Sequence, residues 1–182
     1  MKSTENPMLG QIEGVTIWES AAAIDLVDWE SVRHPDDLFM DVRLLKVTEQ
    51  SMTPGDRFWY LLIRDSSGAP VGVLCAWLTR IEGTLLADDS LAIRCVRAAA
   101  CVLPTLNFHP ILFCGMPVSA GQSNIRITPS ASQQDVLEKA NAALEMIAAC
   151  TAARFIVFKE FNDGEQSLAS TLSQWGSPVK VC

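Results

Sequence analysis

Histidine is nearly missing from this chain: His34 and His109 are the only two in 182 residues. A metal centre has almost no imidazole to draw on, and a Ser–His–Asp arrangement finds no recognisable context. The six cysteines, at 75, 95, 101, 114, 150 and 182, include no C-x-x-C pair. Most sit among apolar neighbours, in VLCAW, LFCGM and AACTA, which reads as reduced, buried thiols of a cytosolic protein rather than disulfides or zinc ligands. Basic runs are missing too. With 21 acidic and 14 basic residues the formal charge is −7, a balance that repels phosphate backbones and anionic lipid, so neither nucleic acid nor a membrane surface is expected as a partner. The most apolar region, residues 91–118, is interrupted by Arg94, Arg97, Pro104, Asn107 and His109, so it offers no membrane span. The start, MKSTENPMLGQIEG, lacks the apolar core of a signal peptide. Residues 1–14 read as a polar N-terminal segment ahead of a single domain over 15–182.

Hydrophobic residues make up 49% of the chain and charged ones only 19%, enough for a real core. The mean hydropathy of +0.21 is high for an isolated domain and points to a surface made for a partner or a second half. Val15 to Trp18 reads as a first strand, followed by helical signals in AAAIDLVDWESV and PDDLFMDVRLLKVTEQSM. In the second of these, Leu38, Val42, Leu45 and Glu49 fall at helical spacing, with Pro35 and two aspartates at the start. Residues 57–64 and 71–80 predict a β-hairpin around the turn chemistry of Asp65, Ser66, Ser67 and Gly68. Residues 88–103 predict a helix with Ile93, Val96 and Ala100 on its apolar side, ended by Pro104.

HPILFCGMPV (109–118) and SNIRIT (123–128) read as adjoining strands. The clearest helix follows, with a capping box at Ser130 and Gln133 and a face of Val136, Ala140, Leu144, Ile147 and Ala148. FIVF (155–158) reads as a strand buried on both faces. The next helix has Asp163 and Gln166 as its capping pair, Leu168, Leu172 and Trp175 along one stripe, and Gly176 and Pro178 as its stop. VKVC (179–182) begins another strand. A hairpin followed by alternating helix and strand predicts an α/β fold: a mixed β-sheet with helices covering its faces. No linker or internal repeat interrupts it.

This order, with CGMPVSAG after one strand and VFKEF ending a later one, resembles the acyl-CoA N-acyltransferase (GNAT) superfamily. More closely it is similar to the N-terminal lobe of FemAB-like, two-lobed transferases, also labelled BioF-like acetyltransferases. The resemblance covers residues 15–182 and rests on FMDVRLL, RFWYLLIRDSSGAPVGV, CGMPVSAG and FIVFKEF in sequence. It implies a cytoplasmic, bacterial-type transferase, with acetyl-CoA or another acyl-CoA as cofactor and an amine as acceptor. It also implies a second GNAT lobe after this one. One departure from the family's pattern is plain. The stretch before the long helix, IRITPSASQQDV, has no glycine and carries Pro129, whereas a pyrophosphate cradle needs glycines so that amides can approach phosphate at a helix N-terminus.

The candidate site lies at the strand ends, where open α/β sheets tend to hold ligands. Lys159 and Glu160 are expected on opposite faces of a strand and so not paired with each other. On the functional reading Glu160 is a general base for an amine and Lys159 an anion contact; on the plainer one each finds an ordinary partner beside the next helix. The backbone from Cys114 through Gly115 and Met116 to Pro117 is the candidate for stabilising a thioester oxyanion. Cys114 itself reads as a structural thiol, since His109 is too far along the strand to activate it. Ser119 and Gly121 form either a small anion-binding nest or a plain turn. Asp28 and Glu30 read as solvated, and the tryptophans at 18, 29, 59, 77 and 175 as packing. Two rivals to the catalytic lobe remain: a non-catalytic GNAT-like module that shapes an acceptor groove or docks a partner domain, and a homodimer that completes its sheet through VKVC.

Overall fold

The computed structural model describes residues 12–82, 108–119 and 121–174. The predicted helix over 88–103, Cys95, Cys101, Trp175, Gly176, Pro178 and the VKVC strand all lie outside the described residues. Six strands form one mixed sheet: β1 (Val15–Trp18), β2 (Arg57–Arg64), β3 (Pro70–Glu82), β4 (Phe108–Cys114), β5 (Ile125–Ile127) and β6 (Phe155–Phe158). Their order is β1-β2-β3-β4-β6, with β5 also on β3. Every pairing is antiparallel except β4 with β6. The helices are α1 (Leu26–Val32), α2 (Val42–Ser51), α3 (Gln133–Thr151) and α4 (Gln166–Ser173).

Strand β2 explains why helices cover both faces. Phe58 to Ile63 are all buried, and alternate residues point to opposite sides. Trp59, Leu61 and Ile63 pack with Val136, Leu137, Ala140, Leu144 and Ile147 of α3 and with Leu168 and Leu172 of α4. Phe58, Tyr60 and Leu62 pack with Trp29, Met40, Val42 and Leu45 on the α1–α2 side. The predicted apolar face of α3 is therefore the face it buries. Gly72 lets that helix come close: a Cβ there would lie 2.6 Å from Val136 Cγ1. On the other side, the Trp29 indole donates to the Met40 carbonyl at 2.9 Å. Glu49 accepts from the Ala21 amide at 2.7 Å and the Tyr60 hydroxyl at 3.2 Å, and burial pushes the Tyr60 phenol well above its usual range.

Several boundaries differ from the sequence expectation because a better cap stood nearby. Helix α2 starts after Asp41, whose carboxylate accepts from the Arg43 amide at 2.8 Å, so Pro35 and the aspartates at 36 and 37 precede it and Leu38 is exposed. Ser132, not Ser130, caps α3, accepting from the Asp135 amide. Asn162 and Glu165 form the capping box before α4, in place of Asp163 and Gln166. Strand β6 is not buried on both faces: it is the last strand of the sheet among the described residues, and Phe155 is 55% exposed. Asp28 and Glu30 are not merely solvated. Asp28 bridges Arg64, and Glu30 bridges Arg33 at 2.5 Å. Cys75 and Cys114 are buried as expected, while Cys150 is exposed on α3. No helix among the described residues is long and apolar enough to cross a membrane.

Candidate functional site

Strands β4 and β5 lie end to end along one side of β3, with a break in the middle. Strand β5 pairs with Gly72 to Leu74 of β3, and β4 with Ala76 to Glu82. Cys75 lies between them; its carbonyl accepts from the Gly115 amide at 2.9 Å and its amide donates to the Asn124 carbonyl at 3.1 Å. The chain leaves the sheet after Gly115 and is back on it at Asn124. Because β4 and β6 are parallel, with Cys114 opposite Phe158, this excursion and the end of β6 meet at the carboxyl ends of their strands.

The predicted site residues do come together here, though not as expected. The ladder stops at Phe158, and Glu160 takes a left-handed backbone with φ of 61°. That turn breaks the strand alternation and brings Lys159 Nζ to 3.1 Å from Glu160 Oε1. The expectation that these two cannot pair is therefore overturned. The Ser119 hydroxyl donates to Glu160 Oε2 and lies 3.1 Å from the Met116 carbonyl. The Lys159 stem crosses Gly115, which sits at φ of 143°; a Cβ there would be 3.0 Å from Lys159 Cγ. Gly121 has φ of 64° with open space beside it.

The amides at the end of β4 are engaged within the protein. Gly115 donates to Cys75, Met116 donates to Asn124 Oδ1 at 2.9 Å, and Pro117 has no N–H. Cys114 and Cys75 are buried thiols, and burial raises both well above the usual range, the reverse of what a nucleophile needs. His34 is exposed and lies near Asp36, on the segment before α2. Among the described residues no group of three or more His, Cys, Asp or Glu is placed to hold a metal.

Sequence reasoning missed the residues that fix the excursion. Asn124 is fully buried; besides holding Met116, its amide donates to the Phe39 carbonyl at 3.4 Å. The Ser123 hydroxyl donates to Glu165 Oε1 at 2.5 Å. Arg126 Nε donates to Asp37 Oδ2 at 2.5 Å, and Nη1 donates to the Ser123 and Ile125 carbonyls and reaches Glu165. Asp37 lies before α2 on one side of the sheet and Glu165 before α4 on the other, so Arg126 ties the two helical layers together. Asp37 Oδ1 is buried without a partner. The only local signal was the spacing of Asn162 and Glu165. The other partners are up to 89 residues apart, beyond any motif.

The N-terminus of α3, the other place a ligand could sit, is closed. Ser132 takes the Asp135 amide, Asp135 places a carboxylate in the first turn, and the Gln133 side chain is linked to Thr171 of α4 at 3.4 Å. Neither protein-family models nor curated proteins give a match to this sequence.

Proposed function

We propose that this chain is a GNAT-like lobe of a cytoplasmic N-acyltransferase, and that it contributes framework to acyl or aminoacyl transfer rather than its chemistry. The strand order supports the GNAT part: antiparallel β1 to β4, then α3 leading into β6 parallel to β4, with helices on both faces. The engaged Gly115 and Met116 amides carry the framework part. Acyl transfer needs amide donors aimed at a developing oxyanion and a base for the amine. At the end of β4 both amides already have acceptors, and Glu160 is held by Lys159 and Ser119.

Coenzyme A does not fit the N-terminus of α3. A pyrophosphate there would meet the Asp135 carboxylate, with Pro129 and no glycine in the approach. The acyl donor and the attacking amine are therefore assigned to a second lobe or a second copy, against which this lobe shapes the acceptor groove. Buried, reduced Cys75 and Cys114 agree with a reducing compartment.

A thermal-shift titration with acetyl-CoA tests this reading. A ligand at about 100 times its Kd stabilises by about 2.7 kcal/mol, which for a chain of this size is a rise of several degrees in Tm. The expected result is no saturable rise. A saturable rise accompanied by shifts of the Gly115 and Met116 amide resonances would overturn the framework role.

One observation favours a second, catalytic reading. Glu160 is a non-glycine residue in a left-handed conformation at a strand end, the kind of outlier that clusters at functional sites. On that reading Glu160→Gln abolishes transfer by the assembled enzyme while leaving Tm within a degree or two; on the framework reading it leaves turnover unchanged.

A further inference from the structure

The chain is acidic overall, yet among the described residues the charged side chains lining one groove are both basic. It lies at the far end of β4 from Glu160, where α3 ends but the sheet continues. Its charged lining residues are Arg57 and Arg80, with Leu78, Thr79 and Pro110 from the sheet and Cys150 to Ala152 from the end of α3. Its volume of about 640 Å³ falls within the range of small-molecule sites, roughly 300–1,000 Å³.

The register places both arginines on the same face. Arg57 is opposite Leu78, so Arg80, two residues further along β3, is its diagonal neighbour at roughly 7–8 Å. Leu78 packs in the core under α3, which fixes that face as the one toward the groove. Arg57 is already positioned: its guanidinium stacks 4.8 Å over Trp59 and reaches Glu19 at 3.3 Å. Arg80 is exposed and makes no ion pair among the described residues. Glu19 offsets the charge of Arg57 only, so the pair keeps a net positive charge that an anion between the two guanidiniums would balance.

At the end of α3 the Ala148 and Ala149 carbonyls accept from the amides of Ala153 and Ala152, and the Ile147 carbonyl accepts from the Thr151 hydroxyl. This weakens, without removing, the negative pole the helix end turns toward the groove, which the two guanidiniums must outweigh.

We propose that this groove binds a small molecule through an oxyanion, a phosphate or carboxylate group clamped between the Arg57 and Arg80 guanidiniums. Arginine suits this role because its planar fork presents paired donors to such groups. The proposal does not rest on the acyltransfer reading. Acetyl-CoA carries phosphates of its own, so a rise in Tm with acetyl-CoA that Arg80→Ala abolishes reports this groove, and one that Arg80→Ala leaves intact reports a coenzyme site elsewhere.

The test titrates the full chain with inorganic phosphate and separately with citrate, each against sodium chloride at matched ionic strength, following Arg Nε–H resonances and Tm. Saturable binding is expected in the wild type. Arg80→Ala, at an exposed position, should weaken it by about tenfold or more, and Arg43→Ala, on the far helical layer, should leave it unchanged. If phosphate binds and citrate does not, the ligand is a phosphate ester; the reverse marks a carboxylate. Absence of saturable binding by either anion up to about 100 mM, where a pair of charge-assisted contacts should register, would overturn the proposal. So would binding that Arg80→Ala leaves unaltered.

Discussion

Replacing Asn124 by alanine isolates the contact that engages the end of β4. Asn124 is fully buried, and its Oδ1 is the acceptor for the Met116 amide at 2.9 Å. Removing it leaves a buried N–H without a partner, which costs about 1–3 kcal/mol. The second bond, to the Phe39 carbonyl, is long at 3.4 Å and adds little. The void left by the lost carboxamide adds a further fraction, so the expected loss is about 2–3 kcal/mol. For a domain of this length that is a fall in Tm of about 4–12 °C. Urea denaturation reads it directly: the midpoint should fall with the slope unchanged, since the surface exposed on unfolding is the same. Asn124→Asp sharpens the test. It keeps the acceptor for Met116 but turns an oxygen toward Phe39 and buries a charge, so it should be worse than alanine at neutral pH. It should regain stability as the pH falls toward about 4, where the buried carboxyl is protonated. An Asn124→Ala variant within about 0.5 kcal/mol of wild type, the range of an ordinary surface change, would refute the reasoning.

Three other outcomes follow from named contacts. Gly72→Ala pushes a methyl to 2.6 Å from Val136 Cγ1 and should cost about 1–3 kcal/mol; the double variant with Val136→Ala should recover part of that, and strict additivity in the double-mutant cycle would contradict the contact. The Arg43 hydrogen bond holds the Asp41 carboxyl down to about 2 from 3.8. A depressed folded pKa stabilises above the unfolded value, so the advantage of wild type over Asp41→Asn should be full above pH 3.8 and vanish as the pH falls through about 2; a difference that stays flat across that window would count against it. Iodoacetamide on the native protein, read peptide by peptide, should alkylate exposed Cys150 and spare Cys75 and Cys114, whose thiols burial raises; labelling of all three at similar rates would mean the core is open.

Element order and periodicity made the two-sided sheet legible. The order of strands and helices called for cover on both faces, and the spacing of Val136, Ala140, Leu144 and Ile147 marked a buried helical stripe; the structure bears out both, with Phe58 to Ile63 buried between the two layers. Caps were misplaced by one to five residues, because aspartates and serines crowd each helix start and only the backbone geometry selects among them. FIVF misled for a different reason: an apolar tetrapeptide reads the same at a sheet's margin as at its centre. The structure brings Ser119, Lys159 and Glu160 together beside the end of β4. The pairing of Lys159 with Glu160 was not legible, since the left-handed turn at Glu160 has no signature in a residue that rarely adopts it. The clamp of Arg126 on Asp37 and Glu165 joins parts of the chain too distant for any local pattern to connect.

The central claim is that the amides at the end of β4 serve the fold and are not available to an acyl group. Amide hydrogen exchange of Gly115 and Met116, measured by NMR with and without acetyl-CoA, tests it most directly. The account predicts slow exchange at both residues, like their neighbours in β3, and resonances that acetyl-CoA does not move. Fast exchange at these amides, or a saturable shift on adding acetyl-CoA, would show donors free for chemistry and contradict it.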